Sequence, residues 1–166
     1  MESYETNPLS SNIFFSIGQP IIIILIVFTG LAGLLLLISR VAKLGGLELF
    51  SERWFERFLL ITLHTVLIWL GLSMVISYIS TSIMDVINGV ILISGAITSI
   101  VCRATSDQQK GNRSLVITFG FLIAVIIWTF IFQNVLNALP ATFRDSVADT
   151  WRPTFFQDLF RYWHWM

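Results

Sequence analysis

The sequence predicts an all-α membrane protein with four transmembrane helices, an amphipathic interfacial helix in the first loop and another at the C-terminus. Of its 166 residues, 55% are apolar and 12% are charged, whereas ordinary soluble domains carry about 25% charged residues. Charged residues are absent from four stretches, 6–39, 58–84, 86–102 and 114–143. Because a bilayer core of about 30 Å needs about 20 helical residues, each stretch can supply one span.

The four spans are predicted at about 20–39, 58–79, 83–102 and 115–139, within a transmembrane domain over residues 1–140. The first begins at Pro20, because a proline is tolerated in the first turn of a helix. The polar run at 80–82 separates spans two and three in a tight hairpin, and Pro140 ends the fourth span. Residues 141–166 then form an amphipathic, aromatic tail.

Orientation follows from the distribution of Lys and Arg. Loops 1 and 3 together carry seven basic residues, the C-terminal tail carries three, and the N-terminal segment and loop 2 carry none. The positive-inside rule therefore predicts that loops 1 and 3 are cytoplasmic and that both termini are extracytoplasmic.

The interfacial helix of loop 1 is predicted from a helical repeat of apolar residues over 47–58. Leu47, Phe50, Trp54 and Phe58 recur at helical spacing, and glutamates occupy the opposite side. This pattern is typical of a helix that lies along the membrane surface and leads into the second span.

The tail helix has a start signal and an apolar face. Thr154 and Gln157 fit a capping box directly after Pro153. Its candidate interface residues are Phe155, Leu159, Tyr162, Trp163 and Trp165. Two interpretations are open for this face, anchoring at the outer membrane interface or docking onto a partner, and anchoring is the more common use of such a pattern.

Asp85 is the one acidic residue near a span. Antiparallel packing of spans three and four places four amides near its level, so the candidate polar cluster is Asp85, Asn88, Gln133, Asn134 and Asn137. Intramembrane ionisable residues are functional candidates, which allows an ion or proton site. The alternative, favoured because the cluster is close to water and holds one charge, is that Asp85 caps a helix while the amides join the two spans.

The sequence contains no catalytic or cofactor signature. Cys102 is the single cysteine, and no HExxH or GxSxG motif occurs. His64 lies inside span two near the level of Ser99, where a hydrogen-bonded packing role is expected. We therefore expect no enzyme activity, cofactor or metal, and the zero net charge predicts no direct binding of nucleic acid.

Each predicted span carries a pair of small residues four positions apart, which permits close approach of two helices. These pairs are Thr29 and Gly33, Ser73 and Ser77, Gly95 and Ser99, and Gly120 and Ala124. The expected partners are the lipid bilayer and either other membrane subunits or further copies of this chain.

The acidic N-terminal segment, the stretch GLAGLLLLISRVAKLGG at 30–46 and the further short spans resemble the TraQ-type polytopic proteins of IncI conjugative transfer systems, relatives of type IVB secretion components. The resemblance implies a component of a DNA-transfer apparatus in the bacterial inner membrane that acts through protein contacts. It carries no functional residue over to this chain.

The function predicted from these observations is a non-enzymatic integral membrane subunit of a multiprotein assembly, of the conjugation or secretion type. Two alternatives remain open. One is a small channel or transporter that uses Asp85, and the other is a membrane immunity or exclusion protein.

Overall fold

The computed structural model describes residues 8–41, 52–140 and 151–164. Within these ranges the chain is all-helical, and four of its helices are long and apolar enough to cross a membrane. The predicted fold class, an all-α membrane protein with four spans, is confirmed. The helices are α1 (Ile13–Val41), α2 (Glu52–Tyr78), α3 (Ile83–Ala104), α4 (Gln108–Ala138) and α5 (Phe155–His164).

Helix α1 begins seven residues before the predicted start, so Pro20 lies inside the helix and not in its first turn. The cause is Asn12, whose side-chain oxygen accepts a hydrogen bond from the Phe15 backbone N–H at 3.2 Å. This is the geometry of an N-cap, which satisfies a donor of the first turn. The Asn12 amide also donates to Ser77 Oγ at 2.7 Å, so the start of α1 is tied to α2.

Helix α2 is continuous from Glu52, so residues 52–58 of the predicted interfacial helix extend the second span directly. The remainder of that segment, 47–51, lies outside the described residues. Trp54 stacks on Phe58 with ring centroids 5.7 Å apart, and about half of the Trp54 side chain is exposed.

The helices pack in chain order, with α2 between α1 and α3, and α4 against α3. We call the end of the bundle that holds the α2–α3 turn and α5 the tail end, and the end that holds the α3–α4 connection the loop end. The core runs along α2 and closes at the tail end on α5, and its largest fully buried side chains include Phe15, Leu67, Met74, Tyr78, Leu92 and Phe155.

Helices α2 and α3 touch through two glycines. A Cβ atom on Gly71 would lie 2.7 Å from the Gly89 carbonyl oxygen, and a Cβ on Gly89 would lie 2.6 Å from the Gly71 carbonyl oxygen. Because real Cβ atoms do not approach backbone so closely, neither position accepts a side chain without separating the helices.

Three of the four predicted small-residue pairs contact other parts of the bundle. Thr29 lies 3.0 Å from Thr62 on α2, Ser77 bonds Asn12, and a Cβ on Gly95 would overlap the Thr118 hydroxyl on α4. Gly120 differs, because apart from its chain neighbours and the nearby backbone of α4, no described atom lies within 4 Å of the position its Cβ would take. The Gly120 side of α4 therefore faces away from the bundle.

Candidate functional site: the tail-docking junction

The α2–α3 turn gathers three polar side chains within eight residues. The backbone N–H groups of Thr81 and Ser82 both donate to the Tyr78 carbonyl, at 3.1 and 2.9 Å, which closes the turn. Ser82 is the N-cap of α3, and its hydroxyl accepts from the Asp85 N–H at 3.2 Å. The tight hairpin predicted from the Ser-Thr-Ser run thus presents Tyr78, Ser82 and Asp85 at the tail end.

Asp85 caps a helix that lies seventy residues further along the chain. Its Oδ2 atom accepts hydrogen bonds from the Thr154 N–H at 2.8 Å, the Thr154 hydroxyl at 3.2 Å and the Phe155 N–H at 3.2 Å. Asp85 is 1% exposed. Since the first N–H groups of a helix have no partner within it and carry partial positive charge, a carboxylate there stabilises α5.

Two further hydrogen bonds attach the tail to the same turn. The Ser82 hydroxyl donates to the Arg152 carbonyl at 2.8 Å, and the Tyr78 hydroxyl donates to Asp158 Oδ2 at 2.6 Å. Together with Asp85, these bonds fix the chain before α5 and the first turn of α5. We refer to this set of contacts as the tail latch.

Apolar contacts lie beside the latch. Phe155 packs edge-on against Tyr78 at 5.8 Å, and Tyr162 packs edge-on against Phe15 at 5.4 Å. Of the predicted interface residues, Phe155 and Leu159 are therefore buried within this chain, and Tyr162 is half-buried. Trp163 remains 45% exposed, and Trp165 lies outside the described residues.

The predicted polar cluster is divided between two environments. Asp85 and Asn88 are buried at the tail end, whereas Asn134 and Asn137 are exposed on α4. The side chain of Gln133 lies outside the described part of the structure. Among the described residues, the Asp85 carboxylate forms hydrogen bonds with the tail and with none of these amides. The sequence pattern of spans three and four does not indicate this contact with the tail.

A second polar contact joins three helices nearer the loop end. His64 Nδ1 lies 2.6 Å from the Leu60 carbonyl, and His64 Nε2 lies 2.9 Å from Ser99 Oγ. Ser99 Oγ donates to the Gly111 carbonyl on α4 at 2.8 Å. The structure thus places His64 beside Ser99, at the level predicted from the sequence, and uses both side chains to connect α2, α3 and α4.

At the loop end, Asp107 is the N-cap of α4. It accepts from the Lys110 backbone N–H at 3.1 Å and forms an ion pair with Lys110 Nζ at 2.8 Å. These hydrogen bonds hold the pKa of Asp107 below its ordinary value. Arg103 donates to the Asn112 side chain across the same connection.

Except for the Asp107–Lys110 pair, the polar side chains of these contacts connect different helices. Among the residues that the structure describes, no group of three His, Cys, Asp or Glu side chains could hold a metal ion. Comparisons with protein-family models, with characterised proteins and with solved structures found no match for this chain.

Proposed function

We propose that this multi-pass membrane protein is a non-enzymatic subunit of a multiprotein membrane assembly. The observation that carries the proposal is a face of α4 that points away from the bundle. It consists of Val116, Gly120, Ile123 and Ile127, all exposed, and we call it the open face of α4.

A glycine in the middle of such a face favours a helix partner over lipid. Association of helices in a membrane depends on close packing, because the hydrocarbon tails are as apolar as the side chains. Gly120 leaves a shallow notch between isoleucine and valine side chains, and among the described residues none fills it. In the part of the chain that the structure describes, the other three predicted pairs make contacts within the bundle, which leaves the Gly120 pair for a second subunit.

The hydrogen bonds of the buried polar side chains support a structural role over a catalytic one. Asp85, His64 and Ser99 are buried, and each bonds to a neighbouring helix or its cap. These hydrogen bonds join parts of the bundle to one another, which is the use expected of a scaffold subunit.

The resemblance to TraQ-type proteins supports placing this assembly in a conjugation or secretion apparatus of the bacterial inner membrane. The excess of Lys and Arg in loops 1 and 3 supports an orientation with both termini outside the cytoplasm. In intact cells, a cysteine introduced at Ser10 should then react with a membrane-impermeant reagent. Native Cys102 should react only after permeabilisation, and the reverse pattern would contradict the orientation.

The assembly is tested by gentle detergent extraction followed by native mass measurement of Gly120→Leu and Gly30→Leu. Both positions have open space for a Cβ, so neither change should disturb the fold. We expect the wild-type chain and Gly30→Leu to be recovered with partner subunits or in multiple copies, and Gly120→Leu to be recovered as a monomer. A monomeric wild-type chain would contradict the function, and equal recovery of both variants in complexes would contradict the role of the open face.

A further inference from the structure

A groove of about 550 Å³ runs between α3 and α4 at the loop end. Along α3 its wall extends from Val90 to Thr98, a distance of about 12 Å at 1.5 Å per residue. On α4 the wall extends from Lys110 to Phe121. The open face of α4 does not line this groove, so the two surfaces are separate.

Three of the four hydroxyl groups of the groove wall donate to backbone carbonyls, and the fourth belongs to Ser94. Thr98 donates to the Ser94 carbonyl at 2.7 Å, Ser114 to the Gly95 carbonyl at 3.1 Å, and Thr118 to the Ser114 carbonyl at 2.8 Å. Because these hydroxyl groups donate to backbone, they have no hydrogen left to donate to a bound molecule. The threonine side chains then offer it mainly their methyl groups. With Ile91, Ile117 and Phe121 beside them, they form a wall suited to a hydrocarbon chain.

The loop end of the groove is cationic. Lys110 and Arg113 both line it there, and Lys110 is paired with Asp107 at 2.8 Å. Among the described residues, no acidic side chain lies within ion-pair distance of Arg113, so the end of the groove keeps an excess positive charge. Arginine beside a membrane surface binds phosphate oxygens in a two-pronged geometry.

We propose that this groove binds one anionic phospholipid, with an acyl chain between α3 and α4 and its phosphate at Arg113 and Lys110. Basic pockets between transmembrane helices bind anionic headgroups in this way. A partner helix is disfavoured as the occupant, because it would have to present an acidic group at this depth in register with its apolar surface. The site is independent of the assembly proposed above, since it needs no second subunit.

The test compares retention of phosphatidylglycerol and phosphatidylcholine with identical acyl chains, by native mass measurement of the purified full chain. We expect about tenfold greater retention of phosphatidylglycerol. Arg113→Gln should reduce that retention to the phosphatidylcholine level. Arg57→Gln is the matched control, because Arg57 lines a different cavity at the same end of the bundle, and it should leave the preference unchanged.

A second pair of variants tests the hydrocarbon part of the site. Ser94→Phe places a ring in the groove and should reduce phosphatidylglycerol retention about tenfold, whereas Ile100→Phe, on an exposed position outside the groove, should not. Equal retention of the two lipids by the wild-type chain, or a preference that survives Arg113→Gln, would overturn the proposal. Loss of a co-purifying protein with Ser94→Phe, without any lipid preference, would also overturn it and assign the groove to a protein helix.

Discussion

Helices α1 and α2 lie side by side, yet the more hydrophobic of the two is the less buried. The most apolar 18-residue window of α1 has a mean hydropathy of 3.2, and 17% of it is buried, whereas the corresponding window of α2 has a mean hydropathy of 2.2, and 44% of it is buried. In water the order would be reversed. In a bilayer, lipid solvates leucine and isoleucine as well as protein does, so apolar content places a helix in the membrane without drawing it into the bundle.

Small and polar residues decide which helix is central. Helix α2 presents Gly71 and Ser73 in its buried surface, and His64 and Thr62 bond to the neighbouring helices α3 and α1. Helix α1 makes its contacts at a few such points, Asn12 and Thr29 among them, and exposes isoleucine and leucine elsewhere. Contacts in this fold therefore follow residue size and hydrogen bonding.

The largest effect is expected at the α2–α3 crossing. Gly89→Leu must push the backbones apart, because even a Cβ would lie 2.6 Å from the Gly71 carbonyl, and overpacking of this kind costs up to about 3 kcal/mol. The free energy of unfolding, measured by SDS titration in mixed micelles, should fall by that amount. Gly30→Leu on α1 is the control and should change it little. An equal fall in the free energy of unfolding for the two variants would contradict the difference in packing between α1 and α2.

The next effect is expected at the tail latch. Asp85→Ala removes the acceptor of three hydrogen bonds and leaves the first N–H groups of α5 without it, at a cost of about 2 kcal/mol. We expect limited proteolysis to cleave the tail faster while the four spans stay inserted. Asp107→Ala removes a cap at the loop end and serves as the matched control. A tail that stays protected in Asp85→Ala would show that apolar packing alone holds α5.

Tyr78→Phe separates the tail latch from the apolar contacts that lie beside it. The variant keeps the ring that packs on Phe155 and loses the hydroxyl bonded to Asp158, so the free energy of unfolding should fall by about 1 kcal/mol. Tyr78→Ala should cost more, because it also empties a fully buried position. Similar losses in the two variants would mean that the hydroxyl, and not the ring, holds the tail.

The smallest effect is expected at the contact between His64 and Ser99. Interhelical hydrogen bonds in membranes contribute about 0.6 kcal/mol each, so Ser99→Ala, which removes two, should cost about 1 kcal/mol at most. Thr65→Val removes a hydroxyl that bonds within its own helix and is the control. If Ser99→Ala lowered the free energy of unfolding as much as Gly89→Leu does, hydrogen bonding, more than close packing, would determine why α2 lies at the centre of the bundle.

The fold class and the number of spans follow from the sequence because insertion into a bilayer is a local property. A run of about 20 apolar residues is stable as a membrane helix whatever its neighbours are, and the charges at Arg57, Asp85 and Arg113 mark where such runs end or begin. The tight α2–α3 turn and the level shared by His64 and Ser99 were predictable on the same ground, because they depend on distance along a helix axis.

Other features depend on the tertiary structure, because they require the rotation of each helix about its axis and the position at which the C-terminal tail packs on the bundle. Hydropathy does not show that Asn12 starts α1 before Pro20, since that start is set by a cap that also bonds α2. Nor does it distinguish Gly95, packed against Thr118, from Gly120, which faces outward. The role of Asp85 required both kinds of information, because a carboxylate near a span can serve an ion, a neighbouring amide or a helix end. Asp85 is a helix cap because α5, which begins seventy residues later, packs against the α2–α3 turn.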